Sequence, residues 1–162
     1  MKQIKFVLLF LLFIPFTVYG FETKTFSDWE YVCPNKDNKN CFLSQIIMDE
    51  EGKTVMMQMV VGKIKENKNP IISFQLPPVL KPGTEINVVL QNNTSMLLDV
   101  KTCSENRCQA YGALSPDFVK DFKASNAGIV QYQSSPESMS KVYFSLKGFK
   151  KAFDYFEKHS KV

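Results

Sequence analysis

The sequence predicts a mainly β fold of the sandwich type. Three observations carry that prediction: short runs in which apolar and polar residues alternate, turn residues at their ends, and only two stretches with helical spacing. Thr25 to Cys33 is the first run and holds Trp29, the only tryptophan. Cys41 to Met48 is the second, and Glu51-Gly52-Lys53 then turns the chain. In Thr54 to Ile64, Val55, Met57, Met59 and Val61 share one face while Met56 and Val60 occupy the other, as in a central strand. Ile71 to Leu76 aligns Ile72, Phe74 and Leu76 and stops at Pro77-Pro78. After Lys81-Pro82-Gly83, Glu85 to Leu90 aligns Ile86, Val88 and Leu90. Gln91-Asn92-Asn93-Thr94 turns the chain back, and Met96, Leu98 and Val100 alternate with Leu97, Asp99 and Lys101, the pattern of a half-buried strand. Cys108 to Leu114, Ile129 to Gln133 and Lys141 to Leu146 complete the set.

Two helices interrupt this pattern. Ser115-Pro116-Asp117 has the chemistry of a helix start: a capping hydroxyl, a proline at the first helical position and an acid at the positive end of the dipole. Phe118, Val119 and Phe122 form its apolar face, and Asn126-Ala127-Gly128 ends it. The second helix is expected from Phe149, with Phe149, Ala152, Phe153 and Phe156 on one stripe. Trp29, Phe144, Leu146 and Phe149 are the expected structural core residues. A closed barrel is the alternative to a sandwich.

The chain starts with the marks of a secretion signal. Lys2 and Lys5 precede an uncharged apolar run from Phe6 to Phe16, broken only by Pro15. Val18 and Gly20 place small side chains before a cut between Gly20 and Phe21. The run is shorter than the about 20 residues that a spanning helix needs. Residues 1–20 are therefore expected to be removed, and 21–162 to form one domain. Loss of Lys2 and Lys5 leaves 18 basic residues against 16 acids, a charge of +2. With Arg107 as the only arginine, neither the charge nor the guanidinium content suits nucleic acid. No transmembrane segment is expected after signal removal.

An even number of cysteines in an exported chain points to disulfides. Cys33, Cys41, Cys103 and Cys108 permit three pairings, and Cys33–Cys41 with Cys103–Cys108 is favoured because each pair brackets a short polar loop between two strands. The spacing is too wide for structural zinc and no histidine is near. No metal or cofactor is expected.

Catalytic chemistry finds little support. His159, the only histidine, reads as a solvated terminal residue. Asp28 and Glu30, two residues apart on one strand, would lie about 6.8 Å from each other, near glycosidase spacing. Two acids on one strand face are more often its wet side. Met48, Met56, Met57 and Met59 are better core fillers than soft-metal ligands. The lysines of the last helix, Lys150, Lys151 and Lys158 among them, read as its solvated face.

Taken in order, several motifs resemble the invasion-associated locus B family of exported bacterial proteins. They are Phe26-Ser27-Asp28-Trp29 with Cys33, then Cys41-Phe42-Leu43-Ser44-Gln45, then Leu76-Pro77 leading to Pro82-Gly83. Cys103 through Cys108-Gln109-Ala110 follows, and Phe144-Ser145-Leu146-Lys147-Gly148-Phe149 with Ala152 closes the series. Each motif is weak alone; their order and spacing over nearly all of residues 21–162 give the resemblance its specificity. It implies an immunoglobulin-like β-sandwich with one short helix and a C-terminal helix, exported by a Gram-negative bacterium to the periplasm or beyond. Family members are associated with the cell envelope, and the founding member with entry into host cells. The family offers no catalytic residues to carry over. The expected function is non-enzymatic: binding of an envelope or host macromolecule. A periplasmic envelope-maintenance factor is the alternative, and a carbohydrate-active enzyme the more distant one.

Overall fold

The structure, a computed structural model, describes residues 22–34, 40–65 and 67–160. The expected signal segment and its cleavage site at Gly20 and Phe21 lie outside the described residues. The strands are β1 (Glu22–Phe26), β2 (Trp29–Cys33), β3 (Phe42–Met48), β4 (Val55–Gly62), β5 (Ile71–Leu76), β6 (Glu85–Leu90), β7 (Ser95–Cys103), β8 (Cys108–Ala113), β9 (Ala127–Ser135) and β10 (Ser138–Ser145). Helix α1 (Pro116–Ala124) precedes β9, and α2 (Phe149–His159) follows β10.

The mainly β expectation holds, and the ladders fall into two sets, β1-β2-β3-β4-β5-β8-β7 and β7-β6-β9-β10, that share β7. Hydrogen bonding runs unbroken through one ten-stranded sheet, in the order β1-β2-β3-β4-β5-β8-β7-β6-β9-β10, with antiparallel pairing between neighbours. β7 carries the continuity. Its first half pairs with β6, Ser95 opposite Val89 and Asp99 opposite Glu85. Its second half pairs with β8, Val100 opposite Ala110 and Cys103 opposite Cys108, with a register shift between Val100 and Thr102. Such an irregularity bends a strand and lets it change partners.

The curl brings the two ends of the sheet together. The Trp29 indole N–H on β2 donates to the Ser145 carbonyl at the end of β10, at 3.1 Å. The Gln45 side-chain amide on β3 donates to the same carbonyl and to that of Asp28, each at 3.0 Å. The Asp28 amide donates to the Lys147 carbonyl at 3.4 Å. Three long-range bonds thus join β2, β3 and the β1–β2 turn to the exit of β10, and the fourth ties β3 to that turn, a partial closure between open sheet and barrel. Gln45 is buried at 6% exposure, so its amide has no water to fall back on. Gln45→Leu leaves the Asp28 carbonyl without this donor, and the expected cost is about 1–2 kcal/mol in urea unfolding.

Two glycines show why strand ends differ from the sequence reading. Gly128 was expected to end α1, yet it lies within β9 opposite Phe144. A β-carbon there would be 2.2 Å from the Phe144 ring, so the ring covers a residue that must have no side chain. Gly148, at φ +85°, links β10 to α2, and a β-carbon there would fall 1.9 Å from the Phe26 carbonyl oxygen. The first expected strand is divided by a two-residue turn at Ser27 and Asp28, with Phe26 opposite Trp29 and Ser27 at φ 58°.

The helices cover one end of the curl. Ser115 caps α1, its hydroxyl accepting from the Phe118 amide at 3.1 Å, and Pro116 occupies the first turn. α2 lies against β1, β2, β3 and α1, burying Phe149, Ala152, Phe153 and Phe156. An aromatic seam results. Trp29 meets Phe149 edge-on at 4.9 Å, Phe149 meets Phe122 at 5.2 Å, and Phe122 stacks on Phe144 at 6.1 Å. β2, α2, α1 and β10 are thereby tied through one row of rings.

Candidate functional site

Cys33 is disulfide-bonded to Cys41, and Cys103 to Cys108. The first bridge joins the end of β2 to the residue before β3, and the second joins directly opposed residues of β7 and β8. Cys33, Cys41 and Cys108 are buried. Trp29, Phe144, Leu146 and Phe149 are also buried, at no more than 3% exposure. Leu146 follows β10, and its amide donates to the Asn126 carbonyl.

The carboxylate pair is arranged differently from the expectation. Asp28 belongs to the β1–β2 turn and only Glu30 to a strand, so the spacing of residues along a strand does not apply to them. Both line a shallow cleft of about 250 Å³ with Ser44, Gln45 and Ile46. Among the described residues no group of three or more His, Cys, Asp or Glu side chains is placed to hold a metal ion. Met57 and Met59 are fully buried in the core, whereas Met48 is largely exposed. His159 is not simply solvated: its ring stacks on Tyr155 at 3.8 Å and its Nδ1 lies 2.8 Å from the Tyr155 carbonyl oxygen.

Two surface features stand out. The first is on the outer side of the β3–β4 hairpin. Ile46, Met48 and Val55 are exposed at 56%, 41% and 51%. Alternation along β3 puts Ile46 and Met48 on the same outer face, and Met48 pairs with Val55 across the hairpin. A groove of about 240 Å³ begins at Ile46 and Val55 and runs past Gln75 and Pro77 to Arg107, whose guanidinium donates to the Gln75 side-chain oxygen. Clustered exposed apolar side chains rimmed by polar groups mark interaction surfaces. The sequence pattern hides this signal: it places Val55 on one face with Met57, Met59 and Val61, whereas the register shift opposite Ile47 and Met48 leaves Val55 exposed and the other three buried.

The second is a groove of about 640 Å³ between the β1–β2 turn, the end of α1 and the start of α2. Lys123, Lys147, Lys150 and Lys151 line it together with Ser27 and Ser125. Asp154 offsets part of this charge, accepting from Lys123 and Lys150 at 2.8 Å each. Hydrogen bonds from these two ammonium groups hold its carboxyl below the usual carboxylate range. A lowered folded-state pKa contributes stability above the unfolded value, lost as pH falls through the folded one. The group is 47% exposed, so solvent screening limits the contribution to less than about 1 kcal/mol. Asp154→Asn is expected to lower the neutral-pH plateau of a stability–pH curve by less than about 1 kcal/mol while leaving the acid end, where the carboxyl is already protonated, nearly unchanged.

These features define a disulfide-bridged, helix-capped, curled antiparallel sheet. The family model for invasion associated locus B protein matches residues 29–157, and the chain belongs to that family. The solved structure of invasion associated protein B from Bartonella henselae shares the fold, with a TM-score of 0.74 at 15% identity over 85% of this chain and 96% of that one. No curated protein matches the chain. No helix among the described residues is long and apolar enough to cross a membrane.

Proposed function

We propose that this chain is an exported, non-enzymatic protein of a Gram-negative envelope, periplasmic or secreted, that acts by binding a macromolecular partner through the outer face of the β3–β4 hairpin. The observation that carries the reading is the exposed apolar cluster of Ile46, Met48 and Val55. A surface of this kind has no part in the core and gains from being covered. Two disulfides in one small domain favour an oxidising compartment, and family membership agrees with it. Processing between Gly20 and Phe21, leaving residues 21–162 as the working domain, belongs to the same proposal. So does a structural one: the fold is an immunoglobulin-like sandwich whose two layers stay joined through β7, which changes partner from β6 to β8.

The test is crosslinking in the producing cells with a photoreactive side chain at Ile46, followed by cell fractionation. The expected result is one dominant adduct in the envelope or secreted fraction, lost in Val55→Lys. Recovery of the protein only as an uncrosslinked monomer, or in the cytosol, overturns the reading.

A further inference from the structure

We propose that the lysine-lined groove at the start of α2 is an oxyanion site that takes a phosphate group, on a small molecule or on a lipid headgroup. The site lies apart from the apolar β3–β4 face and stands independently of the partner reading.

The start of α2 is built against the usual rule. A helix N-terminus carries a partial positive charge and favours acids in its first turn, each worth about 0.3–1 kcal/mol. Here the first turn holds no acid and no side chain caps it; instead it carries Lys150 and Lys151, with Lys147 just before it. The capping position is Gly148, where a β-carbon would collide with the Phe26 carbonyl oxygen, so a capping side chain is excluded there. The Phe149 amide is taken by the Leu146 carbonyl at 3.0 Å. The amides of Lys150 and Lys151 belong to the turn that has no intrahelical acceptors.

A second observation comes from a different element. Ser125, which ends α1 and lines the same groove, is 8% exposed, and its hydroxyl is buried without a hydrogen-bond partner among the described residues. A buried hydroxyl without a partner costs about 1–3 kcal/mol, and an incoming oxygen acceptor would relieve that cost. The α1 end offers limited competition: the Ser125 amide is bonded to the Asp121 carbonyl and the Asn126 carbonyl accepts from Leu146. Asp154 neutralises part of Lys123 and Lys150, leaving Lys147 and Lys151 as the exposed cations of the groove. Lys123, Lys147, Lys150, Lys151 and Ser125 line one groove at a helix start, a set of groups that matches the several acceptor oxygens and high charge of phosphate.

The protein, purified in its disulfide-bonded form and labelled with nitrogen-15, is titrated with inorganic phosphate at constant ionic strength. Saturable shifts are expected at the amides of Ser125, Lys150 and Lys151. Lys147→Gln with Lys151→Gln is expected to weaken binding roughly tenfold, and Ser125→Ala about threefold. Neither lysine is buried, so the double variant keeps the wild-type circular dichroism. A parallel arm uses vesicles of phosphatidylcholine alone or with phosphatidylglycerol. Phosphate binding without vesicle adsorption assigns a soluble ligand. Adsorption only to phosphatidylglycerol vesicles, abolished in the double variant, assigns a headgroup. Equal shifts with chloride, or wild-type affinity in the double variant, overturn the site.

Discussion

Trp29→Ala is expected to be among the most damaging single substitutions in this protein, at about 3–5 kcal/mol. The indole is fully buried, and its loss acts on three levels. It opens a large cavity at the junction of β2 and α2. It removes the edge-on contact with Phe149, a pairing worth about 0.5–1.5 kcal/mol beyond area. It also removes the donor that reaches the Ser145 carbonyl, one of the bonds that close the curl. With an unfolding slope near ~2 kcal/mol/M, the urea midpoint should fall by about 2 M. Trp29→Phe separates the contributions. It keeps most of the ring packing and loses the N–H, so a smaller loss of about 1–2 kcal/mol is expected. If Trp29→Ala left the midpoint within about 0.3 M of the wild type, Trp29 would not hold the two ends of the sheet together.

The same residue shows where sequence reasoning reaches and where it stops. Its burial was legible, because a lone tryptophan in a strand beside a cysteine is core material. Its bond to Ser145 was not: nothing in either segment says that residues 116 positions apart share a hydrogen bond. Local periodicity reports which face of a strand is covered, and it placed Ile72, Phe74, Leu76, Ile86, Val88 and Leu90 correctly inside. It is silent on how far a sheet curls, since curl is the sum of twist, irregularities and end-to-end contacts. The joining of the two ladder sets into one sheet depends on β7 changing partner near Val100, and the regular alternation there gives no sign of it. Turn chemistry failed in two specific places. Ser27-Asp28 lacks the glycine or asparagine expected of a tight hairpin turn, so the sequence pattern runs β1 and β2 together as one strand. Gly128 carries the sequence signature of a helix stop, although its lack of a side chain serves the Phe144 ring across the ladder. The lysine groove was the least legible feature. Lys147, Lys150 and Lys151 looked like a wet helix face, and only the fold brings Lys123 and Ser125 beside them.

Removing the Cys33–Cys41 bridge as Cys33→Ala with Cys41→Ala is expected to cost about 2–3 kcal/mol from chain entropy alone. Lost packing adds to that, since both side chains are buried. The other bridge should matter less. It closes the shorter loop, with a sequence separation of 5 against 8, and Cys103 is exposed, so less packing is lost with it. The Cys33–Cys41 link instead fixes the junction from which both β1–β2 and β3 reach the closure at Ser145. Trp29 sits on one of these strands and Gln45 on the other, and each donates to that one carbonyl. Loosening the junction should therefore weaken both bonds together. Unfolding midpoints of the two double variants, measured with and without reductant, give the comparison. The wild type should lose stability on reduction, and the Cys33/Cys41 variant should lose markedly less on the same treatment. Equal costs for the two bridges would mean that the curl is held by its core alone. A wild type insensitive to reductant would remove the thermodynamic reason for placing this chain in an oxidising compartment, and with it the physical support for export.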